Sequence, residues 1–268
     1  MKTVAHLSDL HFGREVPAIA DALVDELHAA RPALVVVSGD LTQRARRSQF
    51  RGARDFLARL PAPRLTVPGN HDIPLYDAFR RFARPLNRFR RFICQDPSPF
   101  YRDDEIAVAG VNTARSLAFK EGRISIEQIA QLRARLQPLP NSLLKVVVTH
   151  HQFVPRPGQP VKNVVGRADL ALEALDACGV DLLLAGHLHS GFAGDTRTHA
   201  PMRSSLVVAQ CGTSISNRVR GEPNGYNLLE LERGCIRISM RSWTGTGFAE
   251  AARSCFVRGD GGWVRQAA

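Results

Sequence analysis

The chain has 268 residues, 44% hydrophobic and 23% charged, with a net charge of +11. That profile excludes a disordered or low-complexity chain and suits a globular enzyme whose core closes without disulfide staples. The five cysteines (Cys94, Cys178, Cys211, Cys235 and Cys255) are odd in number and form no CxxC pair, which argues against a disulfide framework and a thiolate zinc site.

Lys2, Lys120, Lys145 and Lys162 are the only lysines, so the positive excess is almost all arginine. It suits a phosphorylated or polyanionic partner, or equally a surface scattered with guanidinium groups; nucleic-acid binding would require a patch. The start, MKTVAHLSDLH, runs directly into a buried strand without the pattern of a secretory leader. No apolar run has the length of a membrane span, so a cytoplasmic location is expected.

Short apolar runs at Thr3–Leu7, Ala33–Val37, Arg64–Val67, Leu143–Val148 and Val180–Ala185 lack polar alternation, as strands covered on both faces do. Between them, Pro17–Ala30 carries Ile19, Leu23 and Leu27 at helical spacing, with Pro17 in a first turn that tolerates it. Ser48–Leu60 and Ser125–Leu136 repeat the pattern, the latter with Ser125 as cap. Strands alternating with helices predict a largely parallel sheet. In the segment Arg80–Phe92 (RRFARPLNRFRRF), Phe79, Phe82, Leu86, Phe89 and Ile93 approach helical spacing with arginines between them, and Pro85 starts a second helix. Two readings fit: an apolar seam packed inward under a solvated cationic face, or a basic rim that attracts phosphates or a membrane surface. Further on, Ser205–Gln210, Tyr226–Leu231, Cys235–Trp243 and Phe248–Val257 are expected as successive strands with glycine-containing turns such as Glu232-Arg233-Gly234. They are expected to form a second sheet packed on the first within one domain spanning 1–268.

Each of the five early runs is followed at once by metal-ligand residue types. The clusters are Ser8-Asp9-Leu10-His11, Ser38-Gly39-Asp40, Pro68-Gly69-Asn70-His71-Asp72, Thr149-His150-His151 and Gly186-His187-Leu188-His189. Loops at the carboxyl ends of strands in an open α/β sheet converge on one crevice, which gathers residues that are far apart in sequence. Imidazole nitrogen with carboxylate and amide oxygen suits Mn, Fe, Zn or Co better than a soft thiolate metal. Among the other histidines, His6 lies inside the first run and is expected as a hydrogen-bonded core residue, His28 ends a helix and is expected to be solvated, and His199 has no motif context.

In these five blocks the chain resembles the calcineurin-like metallophosphoesterases, and particularly their bacterial cyclic-nucleotide and glycerophosphodiester phosphodiesterases. The family pattern runs Asp-x-His, Gly-Asp, Gly-Asn-His-Asp/Glu, a lone His and Gly-His-x-His. All five are present in order between Asp9 and His189. The resemblance implies an α/β fold of two packed β-sheets flanked by helices (an αββα sandwich), with a dinuclear metal site at strand ends. It implies that Asp9, His11 and His189 hold one divalent ion and Asn70, His150 and His187 the other. Asp40 bridges them, and a shared hydroxide is the nucleophile. His71 is implied as a catalytic non-ligand, with Asp72 orienting its ring.

His151 is expected to face substrate or support the ligand His150, and Gln152 stands where related chains often have proline. Phe153–Gly166 is expected to border the site. The loop Gly212–Asn227 carries Thr213, Ser214, Asn217, Arg218, Arg220 and Asn224; its two arginines are expected to grip a phosphate or nucleotide, with Arg220 and Asn224 taken as substrate-binding residues, although an ordinary surface turn fits equally well. The expected partner is a small phosphodiester, cyclic nucleotides included. A DNA exonuclease of the same fold is the rival that the basic charge suggests, although such nucleases usually carry a longer C-terminal cap. A third branch, the UDP-diacylglucosamine hydrolases of lipid A synthesis, typically has arginine in place of His71. Non-catalytic scaffolds of this fold tend to lose ligands that this chain retains.

Overall fold

A computed structural model describes residues 1–118, 120–156, 164–197 and 204–266. Lys162, His199 and the middle of the Phe153–Gly166 stretch lie outside the described residues.

Two sheets carry the fold. The first is ordered β13-β12-β11-β10-β1-β2-β3. It contains β1 (Lys2–Leu7), β2 (Leu34–Ser38), β3 (Arg64–Val67), β10 (Gly225–Glu232), β11 (Cys235–Trp243), β12 (Phe248–Gly259) and β13 (Gly262–Arg265). The second is ordered β4-β5-β6-β7-β9-β8. It contains β4 (Phe100–Arg102), β5 (Ile106–Gly110), β6 (Leu144–Val148), β7 (Leu182–Ala185), β8 (Phe192–Asp195) and β9 (Val207–Gln210). Both are mixed: β1-β2-β3 and β5-β6-β7-β9 run parallel, whereas β10 to β13, β4 and β8 pair antiparallel.

The C-terminal strands therefore do not make a second sheet of their own. Strand β10 adds to the free edge of β1, with His6 opposite Asn227, and extends the first sheet. The second sheet is built from the middle of the chain. Its strand β5 (IAVAG) and the helix α6 (Ala168–Ala177) lie outside the runs expected from the sequence.

Alternation along β2 shows how the layers form. Leu34 and Val36 join Val4, Val108, Val146 and Leu182 in an apolar layer between the sheets. Val35 and Val37 face the opposite way, onto α1 (Pro17–Ala30) and α2 (Arg47–Arg59), where Leu23, Leu27, Phe50 and Phe56 are buried. Helices α5 (Ile126–Leu136) and α6 cover the outer face of the second sheet through Leu132, Leu136, Leu172 and Leu175. Each fully buried side chain of this kind contributes about 1.5–3 kcal/mol. The Ser125 hydroxyl accepts from Gln128 N and starts α5 as a cap. His6 is buried between Ser38 Oγ (2.9 Å) and Asn227 Nδ2 (3.3 Å), and burial pushes its imidazole down to about 3. His28 is exposed and contacts Arg59 O.

Candidate metal centre

The first three clusters leave the ends of β1, β2 and β3, and the other two leave β6 and β7. The site thus straddles the carboxyl edges of both sheets. To turn back over those edges the backbone takes left-handed conformations at non-glycine residues. Asp9, His11, Asp40, His187 and His189 all have φ between 46° and 73°. Such residues cost about 1–2 kcal/mol each, so their gathering at one place marks a locally strained, over-determined site. Backbone bonds hold the turns together: Asp9 N donates to Gly39 O, His11 N to Asp40 O and Gly186 N to His150 O. A Cβ on Gly69 would collide with the Asp40 carboxylate, and one on Gly186 with Ser8 Oγ.

Asp9 Oδ2 accepts from Ser8 Oγ (2.6 Å) and His187 N (3.0 Å). Its Oδ1 lies 3.4 Å from His11 Nε2 and 3.4 Å from His189 Nε2. The His11 and His189 rings stack at 5.0 Å. His189 Nδ1 contacts Thr213 Oγ1 and Arg218 O, which leaves Nε2 facing Asp9. On the other side, Asp40 Oδ2 stands 3.7 Å from His11 Nε2 and 3.4 Å from His150 Nε2. His150 Nδ1 donates to Ser38 O, so Nε2 faces Asp40 and Asn70 Oδ1 (3.2 Å). The His187 ring lies 5.1 Å from that of His150. Ligand atoms of Asp9, His11 and His189, of Asp9, Asp40 and His150, and of His150, His151 and His187 each fall within 4.8 Å of one another.

The donors fit divalent ions on a specific ground. Asp9 Oδ1 and both ring nitrogens of His11 are buried and make no hydrogen bond. Among the described residues, no Lys or Arg pairs with the buried carboxylates of Asp9 and Asp40, only imidazoles do. Burial alone would raise both carboxyl groups, but the adjoining imidazoles, His189 first for Asp9 and His150 for Asp40, hold them below the ordinary range. Burial opposes charge on His150, yet Asp40 raises it to about 9, whereas burial pushes His187 down to about 3. Buried charge of this kind demands a counter-charge. Removing divalent ions with a chelator is accordingly expected to lower the melting temperature by about 5–10 °C, the loss of roughly 2–3 kcal/mol of linked binding energy. Differential scanning fluorimetry with and without the chelator checks this; an Asp9→Asn variant that remained equally sensitive would count against the site.

Two of the expected roles change. Asp72 does not orient the His71 ring: its buried carboxylate accepts from Leu41 N, Thr42 N, Thr42 Oγ1 and Gly69 N, and so ties the Asp40 loop to the Asn70 turn. Burial and the nearby Asp40 raise it to about 6. The His71 ring is held instead by Gln43 O at Nδ1 (2.9 Å) and Arg218 Nη1 at Nε2 (3.1 Å), while His71 N donates to Asp40 Oδ1. Asn224 is buried and donates to Thr213 O and Ser216 O; it braces its own loop and does not line the cleft. His151 has Thr113 Oγ1 against Nδ1 and Lys120 O against Nε2, so both nitrogens are engaged and it forms a wall of the cleft.

The cleft encloses about 540 Å³ and is lined by Asp40, Asn70, His187 and His189 of the ligand candidates, with His71, Lys120, Glu121, His151, Arg218 and Arg220. Arg218, one of the two loop arginines expected to grip a phosphate, does more than line the cleft. Its carbonyl fixes the His189 ring and its guanidinium holds His71, so one residue joins two parts of the site. No local pattern marks it. The described start of the Phe153–Gly166 stretch is anchored, with Phe153 and Val154 buried and Arg156 bonded to Ser190 Oγ and Gly191 O.

The family model of the calcineurin-like phosphoesterases matches residues 2–191, which include every one of the five clusters. The chain belongs to that family. Two curated relatives are similar to it. A glycerophosphodiester phosphodiesterase from Enterobacter lignolyticus is 31% identical over 57% of this chain, and the match spans 57% of that protein's length. A probable cyclic nucleotide phosphodiesterase from Synechococcus is 25% identical over 91% of this chain and 93% of its own. Among solved structures, a dimetal phosphatase from Danio rerio superposes with a TM-score of 0.62 at 16% identity, over 90% of this chain and 96% of that one. The last likeness concerns the fold.

Proposed function

We propose that this chain is a phosphodiesterase that cleaves small phosphodiesters, cyclic nucleotides among them, at a dinuclear metal centre. One observation carries the reading: Asp40 Oδ2 lies buried between two sets of donor atoms, placed to serve both. In this reading Asp9, His11 and His189 would hold one divalent ion and Asn70, His150 and His187 the other, with Asp40 shared between the two sets. The mixed nitrogen and oxygen donors suit Mn, Fe, Zn or Co. Bound ions supply Lewis acidity to the phosphoryl oxygens and an activated nucleophile near neutral pH.

The chain's own residues do the rest. His150 and His189 are locked in the tautomer that turns Nε2 inward by Ser38 O and Arg218 O respectively. His71 Nδ1–H is spent on Gln43 O, which aims Nε2 into the cleft, where it accepts from Arg218. A phosphoryl oxygen is the group that would draw Arg218 away from Nε2. Nε2 can then take a proton from solvent water and pass it to the leaving oxygen. The names of both curated relatives favour a diester over a monoester substrate.

After reconstitution with divalent metal, an aryl phosphodiester is expected to be turned over at least roughly tenfold faster than the matching monoester. Cyclic AMP and single-stranded DNA complete the assay. Preference for the monoester would overturn the diesterase reading, and dominant DNA cleavage would replace it with a nuclease.

A further inference from the structure

The short helix α3 (Ala78–Ala83) is built inside out. Its inward position belongs to Arg81, only 3% exposed, which donates to Ser116 O (2.7 Å), Pro74 O (3.1 Å) and Ala118 O (3.1 Å). The phenyl rings that a core-packed helix would bury face solvent instead: Phe79 is 76% and Phe82 57% exposed. The apolar seam expected from the sequence therefore survives only in α4 (Asn87–Phe92), where Phe89 is buried beside Leu86.

Two further side chains extend this surface. Tyr76, 80% exposed, precedes the helix, and Leu117, 86% exposed, lies in the segment whose carbonyls hold Arg81. Isolated exposed apolar residues need no account, but four around one six-residue helix do. Cations border them. The Arg44 guanidinium stands 5.8 Å from the Tyr76 ring centroid, and Arg80 and Arg84, two residues before and after Phe82 in the chain, are exposed. Asp77 is the acid paired there, and its partner is Arg80.

We propose that α3 with Tyr76 and Leu117 is a docking surface for an anionic phospholipid bilayer. The side chains protrude with little around them, so they form tips and not a socket. A protein partner's anchor residues need pockets, whereas aromatic tips enter the soft headgroup region directly. Arginines interleaved with those rings match the lipid phosphates in charge and reach. Among the described residues no helix is long and apolar enough to cross a membrane, so the contact is peripheral. The surface borders the metal centre, because a small hollow between them is lined by Arg44, Leu75 and Arg81 together with Asn70 and His71. The inference stands whichever phosphoester the cleft accepts.

The test is co-sedimentation of the full chain with vesicles of phosphatidylcholine alone, or with about 30% phosphatidylglycerol. Binding to the anionic vesicles is expected to be at least roughly tenfold tighter than to the neutral ones and to weaken with salt. The double variant Phe79→Ser, Phe82→Ser should lose about tenfold or more of it while melting as the parent does. If that variant does not fold, Tyr76→Ser with Leu117→Ser is measured in the same way. Failure of the parent chain to bind anionic vesicles would overturn the proposal, as would equal binding by a folded variant. A dimer that the substitutions dissociate, without vesicle binding, would assign the surface to a second copy of the chain and likewise overturn it.

Discussion

Asp40→Asn is expected to strip the centre of metal and to lower kcat/KM by more than roughly a hundredfold, since even residues that only support metal ligands cost 10–100-fold on removal. The substitution keeps shape and volume while halving the carboxylate's capacity to accept. Asp40 Oδ1 is already committed to His71 N at 2.8 Å. Oδ2 faces His11 Nε2 and His150 Nε2, and this is the oxygen on which both sets of donors depend. An amide nitrogen in that place would have no lone pair to offer a metal ion, or the flipped amide would surrender the bond from His71 N. Elemental analysis of the purified variant and its melting temperature give readouts besides turnover. The variant should contain less metal than the parent and lose the chelator-sensitive part of its stability. Full metal content with full activity would remove Asp40 from the bridging role and leave two separate clusters without a shared ligand.

The seven ligand candidates were legible in the sequence because each lies within a few residues of a strand end, where chain direction and sheet geometry fix its destination. The roles around them were not. The family resemblance pairs Asp72 with His71, yet in the single 3-10 turn Asn70–Asp72 neighbouring side chains diverge, and Asp72 turns back toward Leu41 and Thr42. Arg218 meets His71 across a separation of 147 residues, a contact that no local motif encodes. The same physics explains the sheet assignment. Glycine-containing turns mark β10, β11 and β12 as successive strands, but the edge that β10 joins is decided by its long-range pairing with β1. In α3 the period of apolar residues marks a helical face without saying which way it turns, and three backbone carbonyls that needed a donor drew Arg81 inward.

His71→Ala is expected to retain metal and to lower kcat on an alkyl phosphodiester by roughly 10²- to 10⁴-fold, the range spanned by a positioned general acid. Metal should remain because the ring contributes no donor to the clusters: Nδ1 is occupied by Gln43 O, and Nε2 lies 4.0 Å from Asp40 Oδ2 with Arg218 against it. Burial lowers the His71 pKa, and the two contacts identify the resting ring as a neutral imidazole with its proton on Nδ1. Protonation at Nε2 therefore waits for Arg218 to leave, which couples the acid to the arrival of an anionic phosphoryl group. An alkyl leaving oxygen needs that proton, whereas an aryl oxide of low pKa departs largely without it. The loss should accordingly be much smaller on an aryl diester than on an alkyl diester. A merely structural role would depress both substrates alike, so equal losses would remove His71 from proton transfer. Unchanged turnover on the alkyl diester would remove it from the mechanism altogether.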